Sequence, residues 1–338
     1  MKKLLSLVLA VVLIVSLAAC GSKTETSAPQ GETQAPNQSE ATAAALKGEY
    51  VMGTGGVSGT WYPMGGGFCS AMSDGNLNVS VQASAGSFEN ARLIMSGERE
   101  FGMITAAVSY YAYNGTGDFQ GEDGSKLRAV CAFTPVEMQI LVRADSDIKS
   151  VADLKGHSMG LGAAGSADVS SMGELLGVAG LDMEKDIKGD QIALSEQVTA
   201  FKDRRLDVAY VFTTAPTSGI MDIASQESVR LLPIDGKLAE DFLTQYPFYC
   251  KRTITKDLYS FMTEDLETVG CATQLCCTAD LPEEVVYQLC KNLFDHVDVV
   301  KAAHSGLANF SLKDAAAGLS IPLHPGAEKY YKEVGLIP

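Results

Sequence analysis

Basic side chains are scarce: 26 Lys and Arg stand against 41 Asp and Glu in 338 residues, a formal net charge of −15, with only four histidines and one tryptophan. A nucleic-acid binder needs a basic face, and none is visible. His157, His296, His304 and His324 fall outside the glycine- and hydroxyl-rich junctions of the chain. No Ser or Cys has a recognisable partner base, and the acids form no metal-ligand cluster. Those gaps argue against hydrolytic and metal-assisted chemistry, and no catalytic residue or cofactor is expected. No repeat of solenoid length occurs. Setting Cys20 aside, seven cysteines remain, an odd number at spacings that fit no zinc pattern. Buried thiols are the first expectation and a disulfide the second.

Charge is also missing where a ligand loop would show it. Residues 53–67, "GTGGVSGTWYPMGGG", carry seven glycines and not one charged side chain. Ser58 stands where a G-x-G-x-x-G fingerprint would need its last glycine, and no Lys follows as in a P-loop. Such a loop can hold an anion or carbonyl only with amides and hydroxyls.

The N-terminus, "MKKLLSLVLAVVLIVSLAAC", has two lysines, an apolar run from Leu4 to Ala19 and small residues before Cys20. This is the layout of an export signal over 1–19, and its apolar run of about sixteen residues is short for a bilayer span. "LAAC" resembles a bacterial lipobox, which implies a lipid on Cys20 and a protein anchored outside the membrane. Residues 21–46 have no aromatic residue and one aliphatic side chain larger than Ala, so 20–47 is expected to be a disordered tether.

Beyond it, short apolar runs alternate with helical patterns, which predicts α/β layers. Four strand-to-helix junctions carry hydroxyls where a helix begins, a setting that favours negative charge. They are Gly56, Ser58, Gly59 and Thr60 with Trp61 and Tyr62; Ser84, Gly86 and Ser87, with Thr105 on the next strand; Gly165, Ser166, Ala167 and Asp168; and Thr214, Ala215, Pro216 and Thr217. Thr60, Ser87, Ser166 and Thr214 are the expected N-caps. Trp61 and Tyr62 are the aromatic candidates to cover an apolar part of the ligand. Asp168 is either a specificity residue facing the ligand or a complement to its own helix dipole.

"GTGGVSGTWYPMGGG", "VQASAGSFENARLIMSGEREFGM", "ILVRADSDIKSVADLKG", "FTTAPT" and "IPLHPGAEKYYKE", in that order, resemble the TAXI family of TRAP-transporter solute-binding proteins. The resemblance implies a two-lobed, type II-like periplasmic-binding-protein fold, with a ligand cleft between lobes joined by crossing strands. The expected division is 48–139 and 246–338 in one lobe and 140–245 in the other. It further implies a monomer that takes a small organic acid or amino acid to a TRAP-type membrane permease. A ligand-presenting sensor protein and, more remotely, an enzyme on the same scaffold are the alternatives. "AGSAD" departs from the family's P-G-S-G-T, and Asp168 adds a carboxylate, so a dicarboxylate ligand does not carry over.

Overall fold

The computed structural model describes residues 46–338. The expected signal, the Cys20 anchor and nearly all of the tether lie outside the described residues. The first half of the fold is a run of strand–helix units: β1 (Gly48–Gly53), α1 (Trp61–Met72), β2 (Leu77–Gln82), α2 (Ser87–Ser96), β3 (Phe101–Thr105) and α3 (Ala106–Asn114). Strand β4 (Leu127–Arg143) leads into β5 (Ser158–Gly160), α4 (Ala167–Val178), α5 (Met183–Asp186), β6 (Lys188–Asp190), α6 (Leu194–Lys202), β7 (Val208–Thr213), α7 (Ser218–Ala224), β8 (Val229–Leu231) and α8 (Gly236–Gln245). The chain returns through β9 (Cys250–Ile254) and β10 (Leu266–Thr278) and finishes with α9 (Glu283–Asp295), α10 (Val297–Ala303) and α11 (Pro325–Glu333).

All ten strands form one sheet, ordered β2-β1-β3-β10-β4-β7-β5-β6, with β8 on β4 and β9 on β10. Strands β1, β2 and β3 are mutually parallel, as are β5, β6 and β7. Between these sets, β4 and β10 pair antiparallel along most of their length. "LRAVCAF" and "EMQILVR" are the two ends of the single 17-residue β4. Pro135 separates them but does not end the strand. It lies in the register shift between Cys271 and Thr273 of β10, an irregular stretch where its missing N–H need not break the ladder. Opposite, Gly270 comes so close to β4 that a Cβ there would sit 1.9 Å from the Val136 carbonyl oxygen.

The alternation of apolar runs would make a strand of "QIALS", residues 191–195, but the strand there is β6, Lys188–Asp190, a three-residue edge piece that pairs with β5. Helix α3 has little amphipathic pattern because half of it is buried against the sheet.

Apolar burial explains the layers. The larger core runs along both sets of strands, and a smaller one joins Leu141, Phe201, Val211, Ile220, Ile254 and Tyr259. Ile254 and Tyr259 thus pack with the β7 side although they belong to the returning segment. All seven cysteines in the described residues are unpaired; six are buried and Cys250 is exposed.

Two glycines give opposite expectations. Gly270→Ala forces a methyl against the Val136 carbonyl and should destabilise the fold by about 1–3 kcal/mol, the usual cost of overpacking. Gly66→Ala, in α1 with open space at its Cβ position, should stabilise it by about 0.4–1 kcal/mol. Urea unfolding of both variants checks the pair of signs.

Candidate functional site

The loops after β1, β2 and β5, the segment entering α6 and the end of β7 surround a cavity of ≈ 180 Å³. At about 30 Å³ per liquid water, this suits a ligand with a handful of heavy atoms. Its position at the carboxyl ends of parallel strands is where open α/β sheets bind ligands. Gly56, Ser58, Gly59, Thr60 and Trp61 line it from one side with Ser84, Gly86 and Ser87, and Ser166, Ala167 and Asp168 from the other. Three of the four expected junctions therefore converge.

The fourth does not. Thr214, Ala215, Pro216 and Thr217 are absent from the cavity wall, and the cap there is Thr217, not Thr214. Their polar groups face the sheet crossing: the Thr214 hydroxyl donates to the Pro135 carbonyl (2.9 Å), the Ala215 N–H to Glu137 Oε2 (3.2 Å) and the Thr217 N–H to the Tyr259 hydroxyl (2.7 Å). Tyr62 is half-buried but off the cavity wall. Thr105 is buried and also off the cavity wall, with a hydroxyl that has no partner among the described residues.

Capping also differs from expectation at the first two junctions. The Thr60 hydroxyl makes no cap and instead meets the Thr213 hydroxyl across the cavity at 2.6 Å. At α2 the cap is Gly86, held at φ 125°, and Ser87 Oγ accepts the Thr105 N–H at 3.1 Å. The α2 amides of Phe88 and Glu89 both donate to the Gly165 carbonyl (3.1 and 3.2 Å). Gly165 thus acts through its backbone, outside the cavity wall, and occupies a helix start that an anion would otherwise use. Only Ser166 caps as foreseen, accepting the Asp168 N–H at 3.3 Å. At α1 the first backbone bond is Met64 N–H to the Thr60 carbonyl, leaving the earlier amides of that turn for another partner.

The glycines of the first loop are not there for unusual backbone angles, since none of the seven has a positive φ. Gly53 and Gly65 are required by close packing on Asn90 and Thr54, whereas Gly56 has open space at its Cβ position. On the cavity wall, glycine leaves the backbone uncovered.

Two polar groups stand out. Trp61 is only 6% exposed, yet its indole N–H has no acceptor among the described residues. A buried donor left unpaired costs about 1–3 kcal/mol. Asp168 Oδ1 accepts the Phe212 N–H at 2.7 Å, and Gly162, at φ 90°, brings its backbone close against the Asp168 side chain. Burial pushes this carboxyl from its ordinary 3.8 up to about 7, against the lowering effect of its hydrogen bonds. The residue retains some accessible surface, but it borders the cavity and not open solvent, so the charge is still poorly hydrated. Asp168 is in the first turn of α4 and on the cavity wall at once.

Residues 52–335 match the NMT1-like family. The chain belongs to the NMT1-like family. A protein from Bordetella bronchiseptica RB50 is similar to this NMT1-like chain at TM-score 0.50 and 15% identity, over 87% of this chain and 90% of the other. The periplasmic aliphatic sulphonate binding protein SsuA from Escherichia coli gives TM-score 0.42 at 16% identity, over 86% and 84%. The alkanesulfonate-binding protein SsuA from Xanthomonas axonopodis pv. citri, bound to MOPS, gives 0.48 at 15% identity, again over 86% and 84%. At such identities the likeness is one of fold alone: the NMT1-like chain is a mixed α/β protein with a central sheet and eleven helices among the described residues.

Sequence reasoning missed Thr213, Phe212, Leu194 and Ser195 on the cavity wall of this NMT1-like protein. Thr213 closes "DVAYVFT", and a hydroxyl at the carboxyl end of a predicted strand is the one signal that could have found it.

Because native Asp168 holds its proton more tightly than the unfolded chain does, its contribution to stability falls as pH rises from about 4 to about 7, and the full penalty is present above that. Glu174, pushed from 4.5 up to about 7 by burial beside the Tyr249 hydroxyl, acts in the same direction. Asp168→Asn should therefore raise the Tm of ligand-free protein more at pH 8 than at pH 5, by roughly 2–4 °C per kcal/mol recovered. Calorimetry at the two pH values checks this; an equal gain at both would rule out Asp168 as the source.

Proposed function

We propose that this NMT1-like chain is an extracytoplasmic solute-binding lipoprotein that captures a small organic acid or amino acid and delivers it to a membrane permease of the TRAP type. One observation carries the reading: the cavity is built from loops of both parallel strand sets and is bridged by the protein's own hydrogen bonds. Thr60 meets Thr213, Phe88 and Glu89 meet Gly165, and the Ser218 hydroxyl donates to the Ser58 carbonyl at 2.6 Å. Such bonds tie the two sides of the cavity together and can break and re-form as a solute enters. The collinear motifs shared with TAXI proteins support the TRAP assignment. Three of the similar solved structures carry titles that name ABC transport, one of an amino acid, one of L-cystine and one of glutathione by way of a cystine importer. Neighbouring genes separate the two partners: a large fused permease fits TRAP, an ATP-binding cassette does not.

In this reading the lobes are two α/β bodies hinged where β4 and β10 pass between them. The boundaries expected at 139/140 and 245/246 shift accordingly. We place them near Pro135 and Gly270, because Ile254 and Tyr259 pack with the second body. Small-angle scattering should record compaction when a ligand saturates the protein, and no change in radius would count against hinge closure. Mass spectrometry of small molecules released by denaturing the native preparation tests solute capture directly, because a tightly held solute stays bound through purification. Anchoring is tested separately: Cys20→Ser should move the protein from the membrane to the medium or soluble fraction.

A further inference from the structure

Asp168 is the only acid or base on the cavity wall among the described residues. No cation offsets it: its surroundings contribute burial, the Phe212 N–H and Ser166, but no Lys, Arg or His. The rest of the wall is hydroxyls, backbone and apolar side chains, including Val57, Leu194, Val211 and Phe212. A ligand whose only charges are negative would bring them into a small space beside this carboxyl, with no basic side chain to balance them. The opposite charge is what the wall lacks.

A second group points to the other end of the ligand. The Trp61 indole N–H is a buried donor with no acceptor in the described protein, and Trp61 borders the same cavity. Its ring is packed edge-on against Phe133 at 6.2 Å between centroids, which restricts it from turning to another acceptor. Close in sequence are the free first-turn amides of α1, which also favour an acceptor atom. The wall therefore offers one acceptor of charge and one set of donors, set into otherwise apolar and hydroxylic surroundings.

We propose that the cavity selects a small zwitterion, its protonated amine paired with the Asp168 carboxylate and its carboxylate held by the Trp61 indole N–H and the start of α1. This rests on the solute-binding reading and narrows its ligand class to small α-amino acids with an uncharged side chain. Keto acids and dicarboxylates are discriminated against, because they leave Asp168 without a counter-charge while adding negative charge next to it. The glycine-rich loop and the α4 turn thus divide the ligand between them, one side reading the acid and the other the amine.

The experiment uses protein refolded free of any carried-over molecule. Thermal shift and titration calorimetry are run with L-alanine and L-2-aminobutyrate, their matched keto acids pyruvate and 2-oxobutyrate, and succinate. Wild type should bind the amino acids at least about tenfold more tightly than the keto acids, the scale set by one charge-assisted contact. Asp168→Asn should weaken the amino acids by about ten- to a hundredfold and narrow that preference. Trp61→Phe should weaken amino and keto acids by similar factors, since both carry the carboxylate.

Binding of pyruvate or succinate as tightly as L-alanine by wild type overturns the proposal, and that arm needs no variant to fold. An unchanged preference in a folded Asp168→Asn protein overturns it as well. If no compound of any class binds and the native preparation releases no small molecule, solute capture itself fails and the proposal falls with it. Tight binding of keto acids leaves solute capture standing and removes only the zwitterion.

Discussion

The antiparallel ladder between β4 and β10 is the constraint on which the site depends. Each parallel strand set attaches to one flank of this pair, so the ladder determines how the loops of the two sets face each other. Its irregularity at Pro135 and its tight approach at Gly270 fall at the same level of the sheet. Next to them lies a buried polar network. Arg252 donates to Glu137 Oε1, the Tyr259 hydroxyl donates to Gln139 Oε1, and Gln139 Nε2 donates to the Thr213 carbonyl at 2.7 Å. Burial raises the Glu137 pKa even with Arg252 beside it. The end of β7 that lines the cavity is thus tied, through Gln139, to the strand that crosses the sheet.

Helix starts at this site are contested property. A free helix N-terminus is a ready anion site, yet at α2 the amides of Phe88 and Glu89 already serve the Gly165 carbonyl. That bond joins the two sides of the cavity without any ligand and leaves α1 as the donor end. The same carbonyl that links the two sides removes one place where a second carboxylate could bind. Discrimination then depends on one uncompensated carboxyl and one unpaired indole, both of which are costly to bury unless something answers them.

Much of this was legible in the chain. Repeated apolar runs followed by Ser- or Thr-bearing helix starts located β1, β2, β5 and the helices after them. Strands of a parallel sheet are short, buried and apolar, and a helix start carries its own capping signature. The cavity wall was legible for the same reason, through Ser58, Thr60, Ser87, Ser166 and Asp168. Helix α3 was not, because burial on several faces erases the 3.6-residue pattern that would reveal it. The fourth junction misled because "TTAPT" has the right residue types, and nothing local indicates which side of the sheet they face.

By itself, the sequence determined the alternation of strand and helix, the shortage of cations and the presence of a lone carboxylate in a glycine- and hydroxyl-rich context. These follow from local composition and periodicity, where each residue's chemistry acts within a turn or two of chain. Only the tertiary structure decided that Thr60 meets Thr213 rather than capping its helix, that Gly165 fills the α2 terminus, and that Thr217 is turned away toward Tyr259. Those partners are 153, 77 and 42 residues or so apart in the chain. Their pairing depends on the register of β4 against β10, a long-range fit that no local window of sequence contains.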